Sequence, residues 1–210
     1  MTRPVPLSQA TLAAELCEVC RIFGERQWCL ATSGNFSVRV DDSHCIITQS
    51  GKDKGQLKPA DLMVCDLDGR PRDPEFLPSA ETALHVYLYR RDPGIGAVLH
   101  THSIASTLVS ASAADSVTVS GYEMQKALPG IRSHEDTVTV PVFDNRQDMA
   151  ELVEALQRHF EHTVPVIPGF LVRAHGLYAW GPDLPSARRH IEGLEFLLTC
   201  LWQQRLAGSG

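Results

Sequence analysis

Hydrophobic residues recur at helical spacing near the beginning of the chain. They are separated by four, three and four positions, which puts them on one face of a helix. Ser8 precedes this face and is a residue type that commonly caps helices. We therefore expect a first helix that begins just after Ser8 and packs one side on the core. The apolar residues of that side are Leu12, Leu16, Val19 and Phe23.

The pattern then changes from helical spacing to alternation. Apolar and polar residues alternate from residue 36 to 40, as in a half-buried strand, and residues 45–48 form a second, apolar stretch. The polar residues 41–43 between them are typical of a turn. These features predict an antiparallel hairpin rather than the start of a β-α-β unit.

Strands and helices are interleaved along the rest of the chain. Because short turns join several neighbouring strands, we expect an α/β fold with a mainly antiparallel or mixed sheet and helices packed on it. One domain is expected over residues 1–206, followed by a mobile tail at 207–210. Further strands are predicted at 62–66, 95–100, 117–120, 137–142, 170–173 and 177–180. Further helices are predicted at 80–91 after a Ser79 cap, at 103–113 opened by Ser103, at 149–160 and at 184–206.

Composition narrows the class of protein. The chain has 210 residues, 43% hydrophobic and 21% charged, which argues against a largely disordered protein. The net charge of 19 − 25 = −6 argues against a nucleic-acid partner. No apolar run approaches the roughly 20 residues of a membrane span, and the first ten residues lack the apolar segment of a signal peptide. We therefore expect a cytoplasmic protein with no membrane partner and with its six cysteines reduced.

Cys17 and Cys20 form a single Cys-x-x-Cys within the first predicted helix. A second pair that could complete a zinc site is missing from the sequence. This context favours buried structural thiols over a redox or metal-binding role.

The strongest local signal for chemistry is His100 and His102 at the end of an apolar strand. Two residues apart on an extended backbone, they point the same way. Neutral imidazole is the commonest metal ligand in proteins and suits Zn²⁺. His175 is the preferred third donor because it lies at a tight break between two apolar strands, and His134 in a polar loop is its rival. The histidines on predicted helices are expected to be solvated; they are His85, His159, His162 and His190.

Three polar loops resemble anion-binding sites. The first precedes a strand and contains Asn35, the second contains Ser50, Gly51 and Lys52, and the third is the helix start at Ser79. Each offers hydroxyls or free backbone N–H groups, and Lys52 could add a positive charge. Taken singly, each fits an ordinary turn or cap better than an anion site. Together, beside a metal site, they predict a phosphate pocket.

Two carboxylates stand close to these signals in the sequence. Glu81 follows the predicted Ser79 cap, where an acid interacts favourably with the helix dipole. Glu123 follows a predicted strand and a glycine, as a solvated surface acid would. Residue patterns alone assign neither of them to catalysis.

In this order, five stretches resemble the class II aldolase family, the group that contains fuculose-phosphate aldolase and the adducin head. The stretches are 32–37, 48–52, 78–81, 98–103 and 174–176. The resemblance implies a three-layer α/β/α fold on a central, mainly antiparallel sheet. It also implies a homotetramer with active sites between subunits.

The same resemblance implies roles for individual residues. Zinc would be held by His100, His102 and His175, with one ion in each subunit. The phosphate of a small sugar-phosphate substrate would contact the loops of Asn35, Ser50, Gly51 and Ser79. Glu123 would be the acid/base residue. Aldolases of the family use an acid at the position of Glu81, so Glu81 is a second candidate for acid/base work.

Within the family, the stretches 49–54, 122–126 and 172–181 favour a branch of zinc-dependent dehydratases that act on a keto-sugar phosphate. Some of these dehydratases carry cysteine where this chain has Glu81, which keeps an aldolase or epimerase open as the alternative. Against an aldolase, the chain has no tyrosine after Tyr178, whereas aldolases of the group often use one near the C-terminus. A non-catalytic adducin-like domain is the third possibility, and the retained histidines argue against it.

Overall fold

Eight strands form one sheet at the centre of the protein, in a computed structural model that describes residues 7–163 and 167–208. The strands are β1 (Asn35–Arg39), β2 (His44–Thr48), β3 (Leu62–Asp66), β4 (Ala97–Thr101), β5 (Ser116–Val119), β6 (Val138–Phe143), β7 (Gly169–Val172) and β8 (Gly176–Gly181). Their order across the sheet is β3-β2-β1-β4-β8-β7-β6-β5. Every neighbouring pair is antiparallel except β6 and β7, which run parallel. The expectation of a mainly antiparallel sheet is confirmed, and the parallel pair makes the sheet mixed.

Helices cover both faces of the sheet and complete three α/β/α layers. They are α1 (Gln9–Glu25), α2 (Thr82–Arg91), α3 (Ile104–Ala111), α4 (Met149–His162) and α5 (Leu184–Ala207). One hydrophobic core joins the sheet to α1, α3 and α5, with Phe23, Val109 and Leu194 among its buried residues. A second core joins the opposite face to α2 and α4, with Leu84 and Leu156. The predicted fold class is therefore confirmed.

Strand β4 crosses the middle of the sheet and is buried along its whole length. Successive side chains of a strand point to opposite faces. Leu99 accordingly packs in the core that contains α5, and Val98 packs in the core that contains α2. The same alternation sends His100 to the α2 face and Thr101 to the α5 face, which prepares two different environments at the end of this strand.

Of the three predicted serine caps, two are confirmed and one is wrong. The hydroxyl of Ser8 accepts a hydrogen bond from the N–H of Thr11, and that of Ser103 accepts one from Ser106. Helix α2, however, begins at Thr82 and not at residue 80 after a Ser79 cap. Residues 80 and 81 form a turn, so Glu81 occupies the N-cap position, and its side chain makes no capping hydrogen bond.

The C-terminal helix is longer than predicted by one residue. Helix α5 runs through Ala207, the first residue of the predicted tail, and residues 209–210 lie outside the described part of the chain. Across residues 7–163 and 167–208, the structure contains no helix with the length and apolar character that crossing a membrane demands.

All six cysteines are free thiols. Cys20 lies on the buried face of α1, and Cys17 of the same helix is partly buried. Burial raises the pKa of Cys20 well above its ordinary value, so this thiol stays protonated. This environment agrees with the expected structural role.

Candidate metal centre

Three imidazoles, which we call the histidine cluster (His100, His102 and His175), converge on one point together with Glu81. The Nε2 atom of His100 lies 2.7 Å from that of His102 and 3.4 Å from that of His175, and the last two atoms are 3.2 Å apart. The Oε1 atom of Glu81 lies 3.2 Å from Nε2 of His175 and 3.4 Å from Nε2 of His100. All four ligand atoms lie within 4.8 Å of one another.

Strand β4 delivers the first two histidines. His100 pairs with Tyr178 of β8 across the sheet, and the two rings stack with centroids 3.8 Å apart. His102 follows the end of the strand, where its N–H donates to the carbonyl oxygen of Trp28 over 2.7 Å. The predicted His-x-His pair thus has its two rings side by side, with centroids 4.5 Å apart.

The third histidine comes from the turn between β7 and β8. Ala174 adopts a left-handed conformation with φ of 53°, and the carbonyl oxygen of His175 accepts a hydrogen bond from the hydroxyl of Thr107. At Gly176, a Cβ atom would lie 2.1 Å from the carbonyl oxygen of Thr101. Only a residue without a side chain lets β8 approach β4 this closely. The close approach brings His175 beside β4.

The hydrogen bonds of the cluster fit a bound cation. Nδ1 of His100 lies 3.0 Å from the carbonyl oxygen of Leu177, which requires its N–H on that side and leaves a lone pair on Nε2. This lone pair faces the Nε2 atoms of His102 and His175 and the carboxylate of Glu81. In addition, Oε1 of Glu81 is buried without a hydrogen-bond partner. Lone pairs facing one another repel unless a cation lies between them, so these residues could hold a divalent metal ion.

Protonation states support the same interpretation. Burial lowers the pKa of His102 to about 3 and that of His175 to about 4. Burial acts to raise the pKa of Glu81, but the neighbouring imidazoles of His100, His175 and His102 together outweigh it and hold this pKa well below its ordinary value. At neutral pH the side chains of His102, His175 and Glu81 are therefore in the forms that bind metals.

A cavity of about 680 Å³ opens over the cluster and is lined by His102, His175 and Glu81. Its other walls combine hydroxyl and cationic groups with apolar side chains. These walls include Ser33, Ser79, Thr107, Arg146, Leu30 and Met149. The mixture suits a small, charged substrate with an apolar end.

The residues predicted to bind phosphate are only partly gathered here. Ser79 lines the cavity, whereas Asn35 lies buried beneath it with its amide between Glu81 and His85. The N–H of Ser50 donates to a backbone carbonyl. Lys52 pairs with Asp61 over 3.1 Å. Neither of these two residues lines the cavity, and the same holds for Gly51, which is exposed.

Lys54 connects two of these loops and was missed by sequence reasoning. Its side chain is buried, and its ammonium group donates to the carbonyl oxygens of Thr32 and Lys52 over 2.7 and 2.8 Å. It thereby ties the loop before β1 to the loop after β2. Lysine is rarely buried, and nothing in the local pattern distinguishes Lys54 from its exposed neighbour Lys52.

Glu123 lies away from the cluster in this chain. It begins the short turn Glu123–Ala127, its side chain is 69% exposed, and it pairs with Lys126 over 2.5 Å and with His134 over 3.0 Å. It lines a separate cavity of about 670 Å³ along α5. The rival metal ligand His134 is therefore a partner of Glu123 here, and the acid/base role of Glu123 stays a prediction.

Two histidines expected to be solvated are buried, so that prediction was wrong. His85 is fully buried between α2 and β1, where its Nδ1 atom lies 2.7 Å from the hydroxyl oxygen of Ser37. His190 is buried on α5, and its Nδ1 atom lies 2.7 Å from the carbonyl oxygen of Trp180. Both sit on the inner face of an amphipathic helix. Arg188, Arg189 and Glu192 surround His190 in the sequence and concealed its burial, whereas His85 stands among the apolar residues Leu84, Val86 and Leu88, which could have indicated it.

On the opposite face of β4, Glu195 of α5 supports the strand end that carries the histidines. It is fully buried and accepts hydrogen bonds from the hydroxyls of Thr101 and Ser103. Burial raises its pKa to about 7. The segment 100–103 is therefore held from both sides, by imidazole contacts on one face and by a buried carboxyl group on the other.

Comparison with known proteins defines the class. Residues 14–202 match the family described as Class II Aldolase and Adducin N-terminal domain, and the chain belongs to this family. A relative from Pectobacterium atrosepticum is named methylthioribulose-1-phosphate dehydratase. It is 50% identical over 192 residues, which cover 91% of this chain and 93% of the relative. A relative of the same name from Serratia proteamaculans is 49% identical over 91% of this chain and 94% of its own length.

Solved structures agree with the fold. L-fuculose-1-phosphate aldolase from Thermus thermophilus superposes with a TM-score of 0.77 at 26% identity, over 97% of this chain and 100% of that one. YgbL from Escherichia coli gives a TM-score of 0.79 at 24% identity, over 92% and 89% of the two chains. The second comparison supports the fold alone.

Proposed function

We propose that this protein is a zinc-dependent dehydratase that converts 5-methylthioribulose 1-phosphate to 2,3-diketo-5-methylthiopentyl 1-phosphate, a reaction of methionine salvage. The observation that carries the proposal is the convergence of three imidazoles and a carboxylate in a chain half identical to relatives named for this activity. The cavity above the cluster supplies room for a small sugar phosphate.

The metal ligands in this proposal are His100, His102 and His175, with Glu81 facing the same point. Three histidines that leave one position open are typical of catalytic rather than structural zinc sites. When bound, zinc supplies Lewis-acid chemistry at a carbonyl oxygen of the substrate. The protein's part is to present unprotonated nitrogens, which the burial of His102 and His175 ensures.

The reaction removes a proton from C3 and a hydroxide from C4, which together leave as one water molecule, so it requires an acid/base group. A carboxylate would take the proton from C3 and return it to the C4 hydroxyl as that group leaves as water, after which the resulting enol becomes the ketone. Glu81 lies at the histidine cluster of its own chain and could take part in this proton transfer there. We assign the main acid/base role to Glu123, contributed by a second copy in a homotetramer with active sites between subunits.

The phosphate group would be bound by the loops of Asn35, Ser50, Gly51 and Ser79, with Lys52 contributing charge. Support comes from Ser79 at the cavity wall and from Lys54, which holds two of the loops together. Asn35 would act through its backbone or after a change of partner, because its amide group is engaged by Glu81 and His85. Phosphate contacts far from C3 provide binding energy that orients the reacting carbons.

A sugar-phosphate aldolase or epimerase on the same zinc site is the second candidate. It is favoured by the retained Glu81 and by the similarity to the Thermus thermophilus aldolase. The products separate the two reactions, because an aldolase cuts the carbon chain into two fragments and a dehydratase keeps it whole. An adducin-like interaction domain without activity would bind no zinc.

The deciding experiment is an assay of the purified protein with methylthioribulose 1-phosphate, with and without a metal chelator. We expect a dehydrated product with the intact carbon skeleton, loss of activity with chelator and recovery with Zn²⁺. The variant His175→Ala should lose both zinc and activity, and His162→Ala, which changes an exposed histidine of α4, should lose neither. Carbon-chain fragments, or native activity in chelator, would contradict the proposal.

A further inference from the structure

A row of five polar side chains lies between α2 and β1, in what is otherwise hydrophobic core. Glu81, His85 and Tyr89 are spaced by four residues along α2 and its N-cap. Asn35 and Ser37 are spaced by two along β1. Both spacings keep side chains on one face of their element, so the two sets meet along their length. Asn35, Ser37, His85 and Tyr89 are all at most 2% exposed.

The five side chains form one continuous chain of hydrogen bonds. The amide of Asn35 lies between Glu81 and His85 and contacts both. The hydroxyl oxygen of Ser37 lies 2.7 Å from Nδ1 of His85 and 2.8 Å from the hydroxyl of Tyr89. This hydrogen-bond chain therefore starts at Tyr89 in the core and ends at Oε2 of Glu81, while Oε1 of the same carboxylate faces the histidine cluster.

The carboxylate of Glu81, at the end of this hydrogen-bond chain, determines which group donates at each step. An ionised carboxylate can only accept, so Asn35 must present its NH₂ to Glu81 and its oxygen to His85. His85 then carries its proton on Nε2, and its Nδ1 accepts from Ser37, whose oxygen accepts from Tyr89. Burial lowers the pKa of His85 to about 3, so the ring is neutral, as this order requires. Every donor points towards Glu81.

We infer that His85 is a positioning residue for the metal centre: through Asn35 it fixes the Glu81 carboxylate so that Oε1 faces the three imidazoles. This inference rests on the metal centre of the proposed function. Buried polar groups stabilise a fold only when they are fully paired, and an apolar contact between α2 and β1 would serve packing equally well. Side chains that orient a ligand typically change metal affinity 10- to 100-fold when they are removed.

The test measures Zn²⁺ affinity of the metal-free protein by competition with a chromophoric chelator. His85→Phe keeps an aromatic ring but removes both nitrogens, and we expect a ~10- to 100-fold weaker affinity. His85→Gln keeps a donor near the position of Nε2 and should restore affinity to within ~3-fold of the native value. Circular dichroism and thermal unfolding check that each variant is folded.

Two tyrosines of the same helix provide a matched control. Tyr89→Phe removes the first donor of the chain, whereas Tyr87→Phe removes a hydroxyl from a partly exposed position outside it. We expect a weakened Zn²⁺ affinity for the first variant and an unchanged one for the second.

A folded His85→Phe variant with native affinity overturns the inference while leaving the proposed function intact. Should that variant not fold, Ser37→Ala decides, because it leaves Nδ1 of His85 without a donor and should weaken zinc binding ~3- to 10-fold. Native affinity of Ser37→Ala would then overturn it. Absence of zinc binding by the native protein would instead refute the metal centre itself.

Discussion

Glu81 and Glu123 carry the same chemical group in opposite environments. The side chain of Glu81 is 16% exposed, and its two oxygens face the histidine cluster on one side and a buried hydrogen-bond chain on the other. The side chain of Glu123 is 69% exposed, and its oxygens face Lys126 and His134 at the surface. The hydrogen bond and charge of Lys126 lower the pKa of Glu123, so it is ionised at neutral pH.

The difference shows which parts of the proposed site one chain can build alone. Glu81 is oriented by residues of its own chain before any substrate binds. Its carboxylate therefore need not be rearranged during the reaction. Glu123 is solvated, and a general base of this kind needs a pKa raised by burial to work near neutral pH. Contact with a second copy would provide that burial.

The largest expected effect comes from removing each carboxylate in turn. We expect Glu81→Gln and Glu123→Gln each to lower turnover by ~100-fold or more, the usual contribution of an acid/base group. Only Glu81→Gln should also weaken zinc binding, because Glu123 lies outside the cluster. Steady-state kinetics with zinc analysis of the same samples measures both. Near-normal turnover of Glu123→Gln would remove that residue from the mechanism.

Mixed oligomers test whether Glu123 acts in the site of a second chain while Glu81 acts in its own. If the active site combines the cluster of one chain with Glu123 of another, co-expressed His175→Ala and Glu123→Gln chains should recover up to about a quarter of native activity by random assembly. The matched control pairs His175→Ala with Glu81→Gln. Both changes damage a cluster that each chain must build alone, so this pair should stay inactive. Recovery in the control, or none in the first pair, would contradict the assignment.

The smallest expected effect concerns the support of the cluster by Glu195. Its pKa is raised from 4.5 to about 7 by burial, so between these values the folded chain keeps a proton that the unfolded chain releases. The stabilisation present below pH 4.5 is therefore lost as pH rises through about 7, by on the order of 1 to 3 kcal/mol. Urea unfolding at several pH values measures it. Glu195→Gln should show a flatter pH dependence, and an equal slope in both proteins would refute the assignment.

The fold could be predicted from sequence because its signals are local. Alternation in residues 36–40, apolar spacing from Leu12 to Phe23 and serine caps at Ser8 and Ser103 each depend on near neighbours. The parallel pairing of β6 with β7 was not predicted, although the predicted helix between these two strands is the usual connection of a parallel pair. The position of Ser79 misled, since a turn at residues 80 and 81 separates it from the helix.

The candidate site was predictable where motif and strand geometry coincide. His100 and His102 follow from alternation at a strand end, and His175 follows from the break between β7 and β8, so the structure brings all three together. His85, Lys54 and Glu195 were not predictable, because ionisable groups are normally exposed and their burial depends on partners 22 to 94 residues away. The spacing of Glu81, His85 and Tyr89 by four indicates that they share one face of a helix. Their role could not be predicted, because it depends on contacts with Asn35 and Ser37 of β1.

Gly176 has no functional group, yet β8 lies so close to the neighbouring strand β4 at this residue that a methyl group would not fit. The third imidazole can lie close to the other two only because residue 176 carries a hydrogen atom in place of a side chain. Any redesign of this scaffold for another metal or reaction has to keep a glycine at this position, whichever ligands it exchanges. A position that neither binds nor reacts therefore limits how far the centre can evolve.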